Sequence, residues 1–362
     1  MVRLDDRARD GGVGWAMRIA IVGAGLAGLT IAHRLSAAGR DVTLIEGSPR
    51  LGGQLWSARE DGYVVELGAE GFIARSEAVP KLAHDIGLTS LLDQRQTVSF
   101  RYDGTTLHAL APGEAAAALD FQVARVDRGA GIRTFVDGMG ALTDALAAAI
   151  EPRVVRYVGV QVEALATDGR RVRVDDVAYD AVVVAVPSAP AAELLRPLLA
   201  SEPFVASGTV SSVNVSLAFA RGQVAHPLEG TGFVVGAGDG GFRACTFASS
   251  KFAHRAPPDH VLLRAFFRPT PAELAEDTPW VARAVEALGA ALGIEGEPVR
   301  SWTAFWPDAL PVFDDAYHAR VAAAEARLAE RNIFLAGAAF HGSGIDAAVR
   351  SAERVAARLL ER

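Results

Sequence analysis

Cysteine is nearly absent: Cys245 is the single one in 362 residues. That excludes an intramolecular disulfide framework and any thiolate metal cluster, and the cytoplasm is the easier reading of it. Long apolar runs are missing too. AVVVAVP (181–187) falls well short of the roughly 18 residues of a membrane-spanning helix and reads as a buried strand. Residues 1–16, MVRLDDRARDGGVGWA, lack the apolar middle of a signal peptide; they read as a disordered extension or an upstream start, with Met17 the more natural beginning. Basic charge is not in excess. The 36 Lys and Arg against 43 Asp and Glu leave a net charge of −7, which argues against a nucleic-acid partner, since that would need a basic face. No His, Cys and Asp cluster has metal-ligand spacing, and there is no internal repeat or low-complexity linker. What is present is a globular composition, 50% hydrophobic and 22% charged, with enough length for two domains and a sizeable core.

The chain opens on a compact unit. RIAIV (18–22) is an apolar strand, Gly23-Ala24-Gly25-Leu26-Ala27-Gly28 a turn, and a helix then runs to Gly39 before DVTLIE (41–46). Strand, glycine turn, helix and strand begin a doubly wound sheet. Further helices are expected over 77–86, 140–150, 273–293 and 344–361. Strand-like alternation marks 63–72, 209–219, 232–236, 244–249 and 260–267, with NIFLAG (332–337) near the end. The fold class is α/β: a Rossmann-type cofactor domain over 17–75, 137–187 and 300–362, interleaved with a mixed-sheet α+β substrate domain over 76–136 and 188–299.

The glycine turn sits in the right context for a dinucleotide. Its glycines let the backbone approach a pyrophosphate, and the helix N-terminus favours that negative charge. Glu46 follows Gly25 at the distance where a carboxylate meets ribose hydroxyls, and it disfavours the extra phosphate of NADP. NAD needs nothing special directly after the acid. A longer cofactor needs more bare backbone, and Arg50-Leu51-Gly52-Gly53 supplies it beside a cation; a plain turn is the alternative. At the other end, Gly344-Ile345-Asp346 opens the last helix, whose N-terminus suits the pyrimidine end of a reduced flavin. The two turns together favour FAD.

With those blocks in place, the chain resembles the FAD-dependent amine oxidoreductase superfamily. ELGAEGFIAR (66–75), ACTFASSKFAHRAPPDHVLLRAFF (244–267), WPDALPVFDDAYHARV (306–321) and FLAGAAFHGSGIDAAVRSAE (334–353) are similar to protoporphyrinogen and coproporphyrinogen oxidases. The resemblance implies a p-hydroxybenzoate-hydroxylase-like fold, non-covalent FAD, and oxidation of a porphyrinogen, with the flavin reoxidised by dioxygen or another acceptor. It implies cofactor contacts at Gly23, Ala24, Gly25, Leu26, Ala27, Gly28, Glu46, Gly47, Arg50, Gly52, Gly53 and Gln54. Gly68, Ala69, Glu70, Val162, Trp302, Gly337, Gly344, Ile345 and Asp346 complete that set. Arg75 falls where an arginine meets a porphyrinogen carboxylate, a guanidinium fork suiting a propionate; a surface salt bridge is the equal alternative. Lys251 and Arg255 read as solvated loop charges. No general base is assigned, because the flavin carries this chemistry. His341 is the one weak candidate for moving a proton, and a structural polar role is the stronger account. Cys245 reads as a small packed hydrophobe.

The chain departs from the resemblance in two places. Gln54 stands where relatives carry a basic residue. Only APGEAAAALDFQVARVDRGAGIRTFV lies between Leu110 and Asp137, where relatives have a large helical domain over the substrate cavity. A more open site is expected, with no transmembrane segment; a homodimer or a partner subunit would supply a roof. Three readings stay open: a compact porphyrinogen oxidase-like enzyme, a flavin oxidase or dehydrogenase for an amine or secondary metabolite, and a non-catalytic flavin- or porphyrin-binding protein.

Overall fold

The computed structural model describes residues 17–119, 127–199, 204, 207–236 and 241–362; the extension expected over 1–16 lies outside the described residues. A five-stranded parallel sheet forms the first layer, in the order Val155–Val158, Asp41–Glu46, Arg18–Val22, Ala181–Val184, Ile333–Leu335. Its strands are short and apolar because both faces are covered. On one face lie the helices Leu26–Ala37, Ala78–Asp85, Gly140–Ile150 and Ile345–Leu360. On the other lie a small antiparallel sheet over 165–179 and the helices Ser188–Leu195 and Asp315–Ala329. Arg34 joins three of the first-face helices, bonding Glu353 at 2.8 Å and Asp85 at 2.7 Å.

A seven-stranded sheet is the second body. Its order is Arg300–Val312, Gly208–Ala220, His260–Phe267, Phe242–Thr246, Gly232–Val235, Ser99–Tyr102, Leu107–Ala109. Alternation sorts its residues: Val213, Val215, Leu217 and Phe219 pack beneath the helix Trp280–Leu292, while Asn214, Ser216 and Ala218 take the opposite face, turned toward the cofactor domain. There Ala218, Leu262 and Ala304 meet Tyr63, Val65 and Leu67 of the hairpin after the first glycine turns.

The fold class stands, but the expected boundaries shift. Residues 300–312 belong to the substrate sheet rather than to the cofactor domain. The helices Ala78–Asp85 and Ser188–Leu195, expected in the substrate domain, pack into the cofactor domain's cores. The helix expected over 273–293 is two, Pro271–Ala275 and Trp280–Leu292. A capping box opens the first, with Thr270 accepting from the Glu273 N–H, and Pro279 directly precedes the second.

Gly28 makes the tighter of two close backbone approaches in the opening turn, Gly23 the other. A Cβ on Gly28 would lie 1.9 Å from the carbonyl oxygen of Gly23, a backbone atom with nowhere to go. Gly28→Ala is therefore expected to cost about 3 kcal/mol or more. Gly222→Ala, where a Cβ meets nothing, should melt like the parent protein. Equal melting temperatures for the two variants would refute this account of the turn.

Candidate active site

In a parallel sheet, all strands end at one edge, and ligands of such sheets bind there. The first turn follows Val22, Glu46 ends the next strand, and Gly337 follows Leu335. Glu46 locks the first turn: one carboxylate oxygen accepts the Ala24 N–H at 2.7 Å and the other the Ser48 N–H at 2.9 Å. Each keeps a lone pair for a hydroxyl donor. Gly52 donates its N–H to the Ala24 carbonyl at 2.8 Å and bridges to Gly25. A Cβ on Gly53 (φ +56°) would stand 3.0 Å from the Cα of Gly25. The two glycine turns thus lie backbone against backbone, with no side chain to fill the groove between them.

Other expected residues take defined places. The Arg50 guanidinium donates to the carbonyls of Leu51 (2.9 Å), Leu55 (3.2 Å) and Gly53, and lies over the Trp56 ring, so it holds the loop in shape. The Gln54 side-chain amide donates to the carbonyl of Ala309 at 2.8 Å. Ala309 sits in an irregularity where Pro307, Asp308 and Ala309 interrupt the pairing with Val210–Ser212. Gly47 lies beside Gln161, and Val160 donates to the Glu46 carbonyl at 2.9 Å; the Val162 side chain is buried in the core.

At the C-terminal turn, the first helical bond of Ile345–Leu360 runs from Ala348 N–H to the Gly344 carbonyl at 3.1 Å. The N–H groups of Ile345, Asp346 and Ala347 precede it and have no partner within the helix. The Asp346 carboxylate is engaged by the Ser76 hydroxyl and by Arg350 at 2.5 Å, which leaves its backbone to face the site. Arg75, next to Ser76, is exposed at the turn after Phe72–Ile73. His341 belongs to a closed chain of donors. The Gly337 N–H donates to Ser351 Oγ (2.9 Å), Ser351 Oγ lies 2.8 Å from His341 Nδ1, and Nε2 lies 2.9 Å from Glu325. With Ser351 fully buried, this serine, histidine and carboxylate brace the turn rather than attack a substrate.

The Trp302 indole N–H donates to Glu60 and its ring lies against Tyr63. Trp306 meets the cofactor loop, its Nε1–H on the Leu67 carbonyl at 2.7 Å and its ring edge-to-face with Trp56 at 6.4 Å. Two placements correct the sequence expectation. Lys251 and Arg255 are not solvated. Lys251 pairs with Glu70 at 2.7 Å. Arg255, with its side chain 1% exposed, donates to the carbonyls of Val136 (2.8 Å) and Phe135 (3.0 Å) and to Thr134 Oγ1 (3.2 Å).

These cations belong to a buried cluster that the sequence reading missed. Glu66 accepts from the Ser57 hydroxyl (2.6 Å) and the Met139 N–H (2.8 Å), with Arg255 at 3.7 Å. Burial outweighs those partners and pushes its carboxyl up to about 7. Burial also opposes ionisation of Glu70, but Lys251, Arg264 and Arg255 together win and hold its carboxyl below the usual range. Arg264, 3% exposed, donates to the Gly68 carbonyl. The available signal was a charge inside an alternating apolar strand, as in YVVEL and HVLLRAFF. Elsewhere, a cavity of about 500 Å³ is lined by Arg95, Arg221, His254 and His260. Its arginines are spent on backbone carbonyls, Arg95 on that of Ser249 and Arg221 on those of Val224 and His226, and Arg255, which also lines it, on those of Val136 and Phe135.

Comparison with known proteins agrees with this geometry. The family described as flavin containing amine oxidoreductase matches residues 26–108 and 94–360. The chain is 24% identical over 444 aligned positions to the coproporphyrinogen III oxidase of Bacillus subtilis (strain 168), covering 90% of this chain and 94% of that one. A shorter stretch, 24% of this chain and 19% of the relative, is 36% identical to the putrescine oxidase of Kocuria rosea. Among solved structures, a proposed protoporphyrinogen oxidase from Exiguobacterium sp. 255-15 superposes with a TM-score of 0.81 at 24% identity, covering 97% of this chain and all of that one.

Two measurements check the site. Gly53→Val places a branched side chain in the bare groove; purified protein should lose most of its yellow colour while keeping its far-UV circular dichroism. Full flavin content in that variant would refute the groove. The second concerns Glu66. Its folded pKa lies above the unfolded value near 4.5, so the native state holds the proton more tightly. The stability this confers is complete at low pH and is lost as pH rises through about 7. The stability of Glu66→Gln relative to the parent should therefore rise by about 3 kcal/mol between pH 4 and pH 8, read by urea denaturation. A difference independent of pH would mean that Glu66 titrates normally.

Proposed function

The chain belongs to the flavin-containing amine oxidoreductase family and takes FAD, and on that premise we propose that it oxidises a porphyrinogen-like, carboxylated macrocycle by hydride transfer. The observation that supports this reading is the surface beside the cofactor loop. Trp56, 39% exposed, stands edge-on to Trp306 with Arg50 over its ring, while Glu66 and Glu70 are bonded into the interior. A flat macrocycle packs on aromatic faces, and its carboxylates are within the chemistry of the exposed Arg75 fork.

The residues present fit FAD: the bare contact between Gly25 and Gly53 accepts close backbone approach, and the helix opening at Ile345 offers N–H groups to an anionic ring. Bound there, FAD supplies the hydride acceptor, with dioxygen or another acceptor taking the electrons onward. Glu46 holds the first turn and offers its free lone pairs to ribose hydroxyls. The aromatic pair orients substrate. No side chain is asked to act as base, because pyrrole nitrogens give up their protons to solvent once hydride has left. The likeness to a putrescine oxidase supports amine oxidation as a second reading.

Anaerobic mixing discriminates. Coproporphyrinogen III or protoporphyrinogen IX should bleach the flavin band and yield porphyrin fluorescence above an enzyme-free control. Bleaching by putrescine but by neither porphyrinogen would replace this reading with amine oxidation. Tight porphyrin binding with no bleaching would replace it with a binding role. In Arg75→Ala, KM for a carboxylated porphyrinogen should rise about tenfold, the loss of one charge-assisted contact. Reoxidation by dioxygen should be unchanged; equal loss in both steps would retire Arg75 as a carboxylate contact.

A further inference from the structure

Arg264 is buried in the middle of His260–Phe267. Val261, Leu263, Ala265 and Phe267 point into the core under the helix Trp280–Leu292, so Arg264 takes the other face, toward residues 67–70. A guanidinium carries five N–H donors. Here Nη2 donates to the Gly68 carbonyl and Nε has no partner. The guanidinium also lies over the Phe266 ring, 4.7 Å from its centre. Among the described residues no carboxylate lies within ion-pair distance of it: Glu70 is held by Lys251 at 2.7 Å, and Glu66 by Ser57 and Met139.

The cluster is therefore unbalanced. Among the buried groups, Lys251, Arg255 and Arg264 face Glu66 and Glu70, one positive charge in excess even with both acids ionised, while the exposed Asp137 acts on Arg255 from the surface. A buried, under-bonded guanidinium is costly when nothing negative meets it. Its position shows where the charge acts. Gly68 precedes Ala69, whose N–H bonds the Gln54 carbonyl at 3.0 Å, and Gln54 follows the Gly53 of the groove. No side chain fits at Gly68, because a Cβ there would lie 1.8 Å from that same Gln54 carbonyl.

We infer that Arg264 is a positioning and charge-setting residue: it clamps Gly68 against the cofactor loop and places the cluster's excess positive charge beside the bound flavin, favouring the reduced, anionic cofactor. This rests on FAD occupying the groove, not on the identity of the substrate.

The test is the midpoint potential of the FAD-loaded full chain, measured by dye-coupled reduction without any porphyrinogen or amine, so that failure of the proposed substrate leaves it intact. Arg264→Met should weaken the preference for reduced over oxidised flavin at least tenfold, about 30 mV downward for a two-electron couple. Arg264→Lys, which keeps the charge and a donor, should recover most of that. Lys251→Met should also shift the potential down, and Glu70→Gln should shift it up. A purely structural clamp would lower melting temperatures without this reversal of sign. Potentials that stay within a few millivolts across the set, or that all shift the same way, would overturn the inference. If Arg264→Met does not fold, the opposite shifts of Lys251→Met and Glu70→Gln still decide it.

Discussion

The segment Leu67–Glu70 is the constraint on which the rest of the site depends. Its N–H groups are spent on one partner and its carbonyls on another. Leu67 and Gly68 donate to the Trp56 carbonyl at 2.8 and 3.2 Å, and Ala69 to that of Gln54 at 3.0 Å. In the other direction, Trp306 and Asn214 donate to the Leu67 carbonyl at 2.7 and 3.4 Å, and Arg264 to that of Gly68. Buried backbone groups need partners, so separating the cofactor loop from the substrate sheet would strand donors and acceptors on both sides at once. The same logic explains Gln54. Its side chain reaches the Ala309 carbonyl and adds one more tie between the bodies.

That tie has an electrostatic counterpart. Ions buried at a junction raise stability only where geometry and extra hydrogen bonds offset desolvation. Glu70 and Lys251 meet this condition, and Glu66 only partly does, which is why burial wins there and lifts its carboxyl to about 7. A junction built for stability alone would be better packed with apolar residues. This one keeps five ionisable groups next to the cofactor loop, and that choice makes sense where a reaction develops negative charge.

Much of the cofactor half was legible in the sequence because close backbone approach leaves a compositional mark. Gly23, Gly25, Gly28, Gly52 and Gly53 stand at fixed offsets from strand ends and from Glu46, and the structure puts those turns in contact. Long-range pairing leaves no such mark. Nothing local says that Arg300–Val312 pairs with Gly208–Ala220 in the other body, so the boundary at 300 was misplaced. Periodicity also read through Pro279 and merged two helices. Among tryptophans, four residues along one strand separate Trp302 from Trp306; both share a face, and only the tertiary path of the cofactor loop decides which one meets it.

The alignment with the Bacillus subtilis enzyme runs over 444 positions against 362 residues here, so that relative carries segments this chain does not. The short stretch between Leu110 and Asp137 is where the sequence places the difference, and Trp56 and Phe305 are left 39% and 52% exposed. An open face weakens any mechanism that depends on a desolvated acid or base, since water would level its pKa. The proposed hydride transfer is less affected, because it asks for no side-chain base, and the glycine turns and the charge cluster behind residues 67–70 are held by backbone bonds and burial. In this chain the glycine turns and the buried charges meet at residues 67–70, set apart in sequence from the stretch between Leu110 and Asp137, so a compact member of the family keeps these backbone ties without a long covering segment.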